Sequence, residues 1–269
     1  MKKRFMLAAF FITLGARTVT GWTTNYYIDG QTTVINDINL GGNDYGIVMV
    51  NNSDVTNNAA ISAAASGIFT NDSILKNNAA IISVKQGIEA LNSKITNNSG
   101  GSITAVTGVM LNNSELENFG SLTVLNNGMG INADNSIVKN YGSISGSGNG
   151  IVAYQAENGT NDFLNEGNID VSEIALNIVN YNNASNNAAI HGDTGLYSYN
   201  NYFKNYGNGE IKGDKLGVNM ASSTLENSGK IIGSEAGIYS ENSDIINYGN
   251  ISGQTYGLWS KNDNIFNES

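Results

Sequence analysis

Residues 227–247 read NSGKIIGSEAGIYSENSDIIN, and residues 247–267 read NYGNISGQTYGLWSKNDNIFN. Laid one over the other, they share Asn at both ends, a Gly-x-Ile after the first Asn, and a Gly with an aliphatic partner in the middle. Working outward, that central pair recurs through the chain: Gly46-Ile47, Gly67-Ile68, Gly87-Ile88, Gly108-Val109, Gly130-Ile131, Gly150-Ile151, Ala175-Leu176, Gly195-Leu196, Gly217-Val218, Gly237-Ile238 and Gly257-Leu258. Ten of these eleven anchors carry Gly, and the spacings run from 20 to 25 residues. A fixed period of this kind signals a stack of identical structural units, none of which can bury its apolar side alone.

Three further columns keep the period. Usually eight residues after the anchor stands an aliphatic or aromatic residue: Val55, Leu75, Ile95, Leu116, Val138, Phe163, Phe203, Leu225, Ile245 and Ile265, weakening once to Ala184. Two residues later comes Asn: Asn57, Asn77, Asn97, Asn118, Asn140, Asn165, Asn186, Asn205, Asn227, Asn247 and Asn267. A third apolar column follows: Ile61, Ile81, Ile103, Leu122, Ile144, Ile169, Ile190, Ile211, Ile231 and Ile251. Alternation within each patch has period two, which is strand and not helix. Three short strands per turn, separated by Gly, Asn and Ser, predict a three-sided coil of about 11 rungs of 20–22 residues. The chain has no Pro, as a structure in which nearly every N–H joins a ladder requires. The Gly positions suggest corners of positive φ. The Asn column is expected to form a structural ladder, each amide bonding its neighbours above and below; a row of ligand-binding amides is the alternative.

Composition narrows the chemistry. Of 269 residues, 45 are Asn, none is Cys, and the formal net charge is -10. Without Cys there is no disulfide scaffold or thiolate metal site. The acidic balance argues against nucleic acid. Residues 1–21 read as a secretory signal: Lys2-Lys3-Arg4, then an apolar run from Phe5 to Ala16, then small residues. That run is too short to span a membrane as a helix. Beyond it stand 9 Lys, no Arg and 23 acids. Residues 22–43 hold an imperfect rung and read as an N-terminal cap, with the repeat domain over 44–269.

Rungs such as Asn140-Tyr141-Gly142-Ser143-Ile144-Ser145-Gly146 and Asn247-Tyr248-Gly249-Asn250-Ile251-Ser252-Gly253, behind a secretory leader, resemble the passenger region of Gram-negative autotransporter adhesins. The resemblance covers about residues 22–269. It implies an all-β, right-handed, single-stranded parallel β-helix of the pectin-lyase-like kind, export by the Sec route and display at the outer-membrane surface. The partner it implies is an unidentified glycan or protein on a host or bacterial surface. It also implies a C-terminal membrane barrel on a longer parent protein. Strands of that barrel type are missing here, so the sequence looks like part of a larger one.

Parallel β-helices also carry polysaccharide lyases and glycosidases, so an enzyme is the competing expectation, with a passive stalk as a third. A lyase needs a cation beside the sugar carboxylate, yet Arg is missing beyond the leader and Lys is scattered. Lys76, Lys139 and Lys204 share one rung position with Glu117 and Glu226, which reads as a solvated outer face. Asp162, Glu166 and Asp170 are the acids closest in phase, but a hydrolase needs two opposed carboxylates at a set separation. His191 is the one His and reads as structural. Gly142-Ser143-Ile144-Ser145-Gly146 fits the letters of a nucleophile elbow without a following helix. No catalytic, cofactor or metal residue is therefore assigned.

Two breaks in the repeat point to partner binding. The rung of 25 residues adds polar residues over 154–162, and insertions in solenoids map to loops, often on the binding face. Aromatic residues crowd behind it: Tyr197, Tyr199, Tyr202, Phe203 and Tyr206. Tyr154, Tyr197, Tyr199, Tyr202 and Tyr206 are the candidate partner-binding residues, since exposed aromatics give large contact area at low entropy cost. Rings that merely cover adjacent rungs are the structural alternative. Phe119, Tyr141, Tyr206 and Tyr248 share the position after the ladder Asn and should line up along one edge.

Overall fold

A computed structural model describes residues 24–30, 33–156 and 162–268. The leader and residues 157–161 of the insertion lie outside the described residues. The chain winds as a β-solenoid of about eleven turns, entirely in parallel pairs, with no helix among the described residues. Each turn lays its strands across the long axis. Eleven steps of about 4.8 Å make the rod roughly 50 Å long.

The three apolar columns become three internal files. The anchor file pairs Ile47, Ile68, Ile88, Val109, Ile131, Ile151, Leu176, Leu196, Val218, Ile238 and Leu258 in strict register. From Ile47 to Ile238 all of them are at most 1% exposed. Fully burying one aliphatic side chain is worth about 1.5–3 kcal/mol, and each turn contributes three. The file preceding the ladder Asn lies in a sheet of 12 short strands; the other two share a sheet of 16. That larger sheet is bent. Ile61–Asn71 carries both files in one strand, whereas the next turn divides them between Ala80–Ser83 and Gln86–Leu91. Register slips at the bend, as between Ala105 and Thr107. The three sides are thus built from two sheets.

Thr33–Asn36 pairs in full register with Asp54–Asn57, and Thr24–Asp29 pairs with the strand Leu40–Val50. The winding therefore already runs through the described part of residues 22–43.

Gly plays a different role from the one expected. Among the described glycines only Gly30, Gly42, Gly146 and Gly148 have positive φ. The left-handed corners are taken instead by Asn52, Asn92, Asn113, Asn135, Asn180, Asn200, Asn242 and Asn262, with Asp72 and Ser222 in two turns. Asn tolerates this conformation better than any other side chain with a Cβ. The anchor Gly is needed for space. A Cβ on Gly108 would stand 2.5 Å from the Gly130 carbonyl oxygen and 2.7 Å from Leu122 Cδ2.

Each corner is locked by the residue after the left-handed one. Ser73 Oγ donates to the Asn71 carbonyl at 2.9 Å and accepts the N–H of Ser53 at 3.2 Å. Ser93, Ser114, Ser136, Ser223 and Ser243 also accept the N–H of the turn below.

Candidate binding face and the ladder that holds it

The Asn column points inward and is satisfied almost wholly by itself. Nδ2 of each Asn donates to Oδ1 of the next, from Asn36 through Asn57, Asn77, Asn97, Asn118, Asn140, Asn165, Asn186, Asn205, Asn227 and Asn247 to Asn267. The eleven bonds span 2.6–3.0 Å and all run the same way. From Asn57 to Asn227 the side chains are fully buried. The second N–H turns back to the chain, as from Asn186 to the Ala188 carbonyl at 2.8 Å. Only Asn has the two donors, two acceptor lone pairs and short reach that this geometry uses. Asn36 is the member that the column analysis placed in the cap.

One turn departs from the pattern. After the insertion, the corner position holds Tyr181, which is fully buried. Its ring meets Phe163 edge-on at 6.1 Å, and its hydroxyl donates to the Ser136 carbonyl two turns below at 2.9 Å. This ring explains why the apolar column lapses to Ala184 in the same turn: a small side chain leaves room for it. Burial pushes the Tyr181 phenol pKa up, and the Asp134 charge adds to that. Asn201 repeats the Ser role in the next turn, accepting the Tyr181 N–H at 2.6 Å.

The five candidate tyrosines do not form one patch. Tyr154, Tyr197 and Tyr199 project from the outer face of the bent sheet and line one open groove of about 500 Å³ with Ile174, Asn177 and Val179. Tyr202 and Tyr206 lie beyond the corner at Asn200 and Asn201, on the face of the narrower sheet. There Tyr202 Oη donates to Glu226 Oε2 at 2.6 Å, Lys204 Nζ stands 2.7 Å from Glu226 Oε1, and Lys204 sits 5.2 Å from the Tyr206 ring centre. The Lys204 hydrogen bond, then that of Tyr202, holds the Glu226 carboxyl below the usual range. This second group is tied into its own surface; the first is open.

Groove geometry follows from register. Tyr154, Val179 and Tyr199 occupy one outward column in three successive turns, and Val152, Asn177 and Tyr197 occupy the column beside it. Asn177 Oδ1 is buried and has no hydrogen-bond partner. Val179 and Asn177 were not singled out from the sequence, although they stand four and two residues after their anchor, as Tyr199 and Tyr197 do after theirs.

Elsewhere the outer face pairs charges between adjacent turns. Glu115 meets Lys94 at 3.1 Å and Lys139 at 3.2 Å, and Lys139 also meets Glu117 at 3.2 Å. Burial alone would raise the Glu115 pKa, but the two lysines hold it below its ordinary value. His191 bridges Asp170 and Asp214, both at 2.9 Å. Asp162 accepts from Asn183 at 2.7 Å, on the other sheet from Asp170. Phe119 and Tyr141 stack face to face at 4.8 Å, as do Tyr239 and Trp259 at 4.2 Å; Tyr248 instead meets Phe266 edge-on. No cluster of three or more His, Cys, Asp or Glu suited to a metal occurs among the described residues. Compared with known proteins, the chain matches no family model, no curated protein and no solved structure.

Proposed function

We propose that the rod is an exported, surface-displayed, non-catalytic adhesion module of the autotransporter-passenger kind, and that it engages a glycan or protein on another cell. The observation that carries this reading is the open, uncharged groove that Tyr154, Tyr197 and Tyr199 line with Ile174, Asn177 and Val179. Rings such as Phe119 and Tyr141 stack on each other between adjacent turns, but Tyr154 and Tyr199 have Asp134, Val179 and Ala221 as their column neighbours, and a recognition surface uses rings of this kind as rigid anchors. The secretory pattern of residues 1–21 supports export. Glu115, Glu117, Glu226 and Asp170 are engaged by Lys or His in neighbouring turns, which supports a structural role for them over an acid–base one.

The regularity of the amide ladder favours a second reading, a passive spacer. Binding of the purified rod to cells separates the two. Replacing Tyr154, Tyr197 and Tyr199 by Ser should abolish binding while the fold persists, and replacing Tyr202 and Tyr206 should weaken it less. Retained binding by the folded triple variant would refute the groove, and a wild-type rod that binds no cell would leave the spacer.

A further inference from the structure

The geometry points to a ring-sized slot for a neutral hexopyranose unit between Tyr154 and Tyr199, over Val179. This inference rests on the adhesion reading and names the ligand class of that groove. Its basis is a spacing that the protein displays elsewhere. Where aromatic residues occupy one outward column in adjacent turns, they stack at 4.8 Å (Phe119 on Tyr141) or 4.2 Å (Tyr239 on Trp259), with rings within 7° of parallel. Tyr154 and Tyr199 share a column but stand two turns apart, with Val179 between them. Two turns amount to about 9.6 Å, which is two stacking distances. The column therefore leaves open the place of one flat ring, and the short Val179 side chain forms its floor.

Chemistry of the lining selects the occupant. Tyr154, Ile174, Asn177, Val179, Tyr197 and Tyr199 carry no charge. A pyranose offers two C–H faces to aromatic rings and hydroxyl donors at its edge. The Asn177 carboxamide lines the groove beside the slot and is the amide group nearest to hydroxyls at that edge. Acidic sugars are disfavoured by the chain's formal charge of -10. A protein partner would need on the order of 800 Å² of each surface, far more than six side chains around one slot provide.

Saturation-transfer NMR tests this on the purified chain, with neutral oligosaccharides of glucose, galactose and N-acetylhexosamine and with uronic-acid oligosaccharides as probes. Binding of one or more neutral probes, with transfer to ring protons of the sugar and none to the acidic set, is expected. Tyr154→Ala and Tyr199→Ala should each weaken it roughly fivefold. Val179→Phe is the decisive variant. It places a ring of the protein itself in the slot, completes the stack and should preserve or raise the melting temperature while abolishing sugar binding. Unchanged sugar affinity in a folded Val179→Phe variant overturns the slot. So does a wild-type rod that binds cells yet none of the probes, or whose cell binding disappears when the cells are treated with protease; in both cases the adhesion reading stands. A rod that binds neither cells nor sugars overturns both.

Discussion

The amide ladder makes a prediction about which pairs of substitutions add. Asn118 accepts from Asn97 at 2.8 Å and donates to Asn140 at 2.7 Å, all three fully buried. Asn118→Ala leaves an N–H on Asn97 and an oxygen on Asn140 without partners. At about 1–3 kcal/mol for each buried orphan, the cost is about 2–6 kcal/mol. Removing Asn140 as well does not double that. The orphans become the Asn97 N–H and the Asn165 oxygen, again two, with only about 1 kcal/mol added for the further bond lost. Asn118→Ala combined with Asn205→Ala leaves four orphans, on Asn97, Asn140, Asn186 and Asn227, and costs about 4–12 kcal/mol. The adjacent double should therefore be more stable than the separated one by about 1–5 kcal/mol, reversing the usual expectation that distant substitutions are the benign combination. Urea unfolding midpoints at constant m report the difference. If the two doubles unfold at the same midpoint, the continuous amide chain does not carry the energy and the reasoning fails.

Other expectations follow from the same geometry. Gly108→Ala should destabilise by about 1–3 kcal/mol because the backbone of the next turn must give way, while Gly207→Ala, whose nearest neighbour is the Ser228 carbonyl oxygen at 3.9 Å, should lie within about 0.5 kcal/mol of wild type; thermal melts distinguish them. Asn113 has φ 49°, so Asn113→Gly should be tolerated and Asn113→Val should cost about 1–2 kcal/mol by the same measurement. Tyr181→Phe orphans the buried Ser136 carbonyl and should lose about 1–2 kcal/mol, and Tyr181→Ala about 3–5 kcal/mol through the cavity. His191 has its pKa raised, first by the Asp214 hydrogen bond, against desolvation and with Asp170 adding, and Asp214 has its pKa lowered by His191. The His contribution is full below about pH 6.5 and fades as pH climbs through the raised folded value; the Asp contribution is present above about pH 4 and fades as pH falls through the lowered one. Melting temperature should thus gain between those limits, and His191→Gln should flatten the profile there; an unchanged profile would rule the bridge out as a contributor.

Periodicity made the columns legible because each turn repeats the same inward and outward choices, and a one-residue slip would expose Ile88 or bury Glu89. That argument assigns a column without saying what geometry joins it to the next. The corners were therefore misread: the sequence shows Gly recurring beside Ile, but not whether Gly supplies a backbone angle or empty space, and Asn at positions such as Asn92 and Asn113 was lost among the other 43 Asn. Tyr181 was hidden for a related reason. Its hydroxyl is held by the Ser136 carbonyl two turns below, and no local pattern records so distant a partner. The candidate tyrosines were grouped by closeness in sequence, yet Tyr199 and Tyr202 stand on opposite sides of the corner at Asn200 and Asn201. Offsets from the anchor, the same for Tyr154, Val179 and Tyr199, would have separated them.

Strands that lie across the rod have a mechanical consequence. Tension applied along the axis at one end loads the hydrogen bonds of a single turn, together with one amide bond such as that from Asn227 to Asn247, before the turn behind feels any force. Failure then proceeds as unzipping, one winding after another. Each winding of about 20 residues releases roughly 60 Å of slack in place of the 4.8 Å it occupied. A rod of this kind yields in equal steps under tension and lengthens greatly before its last winding opens.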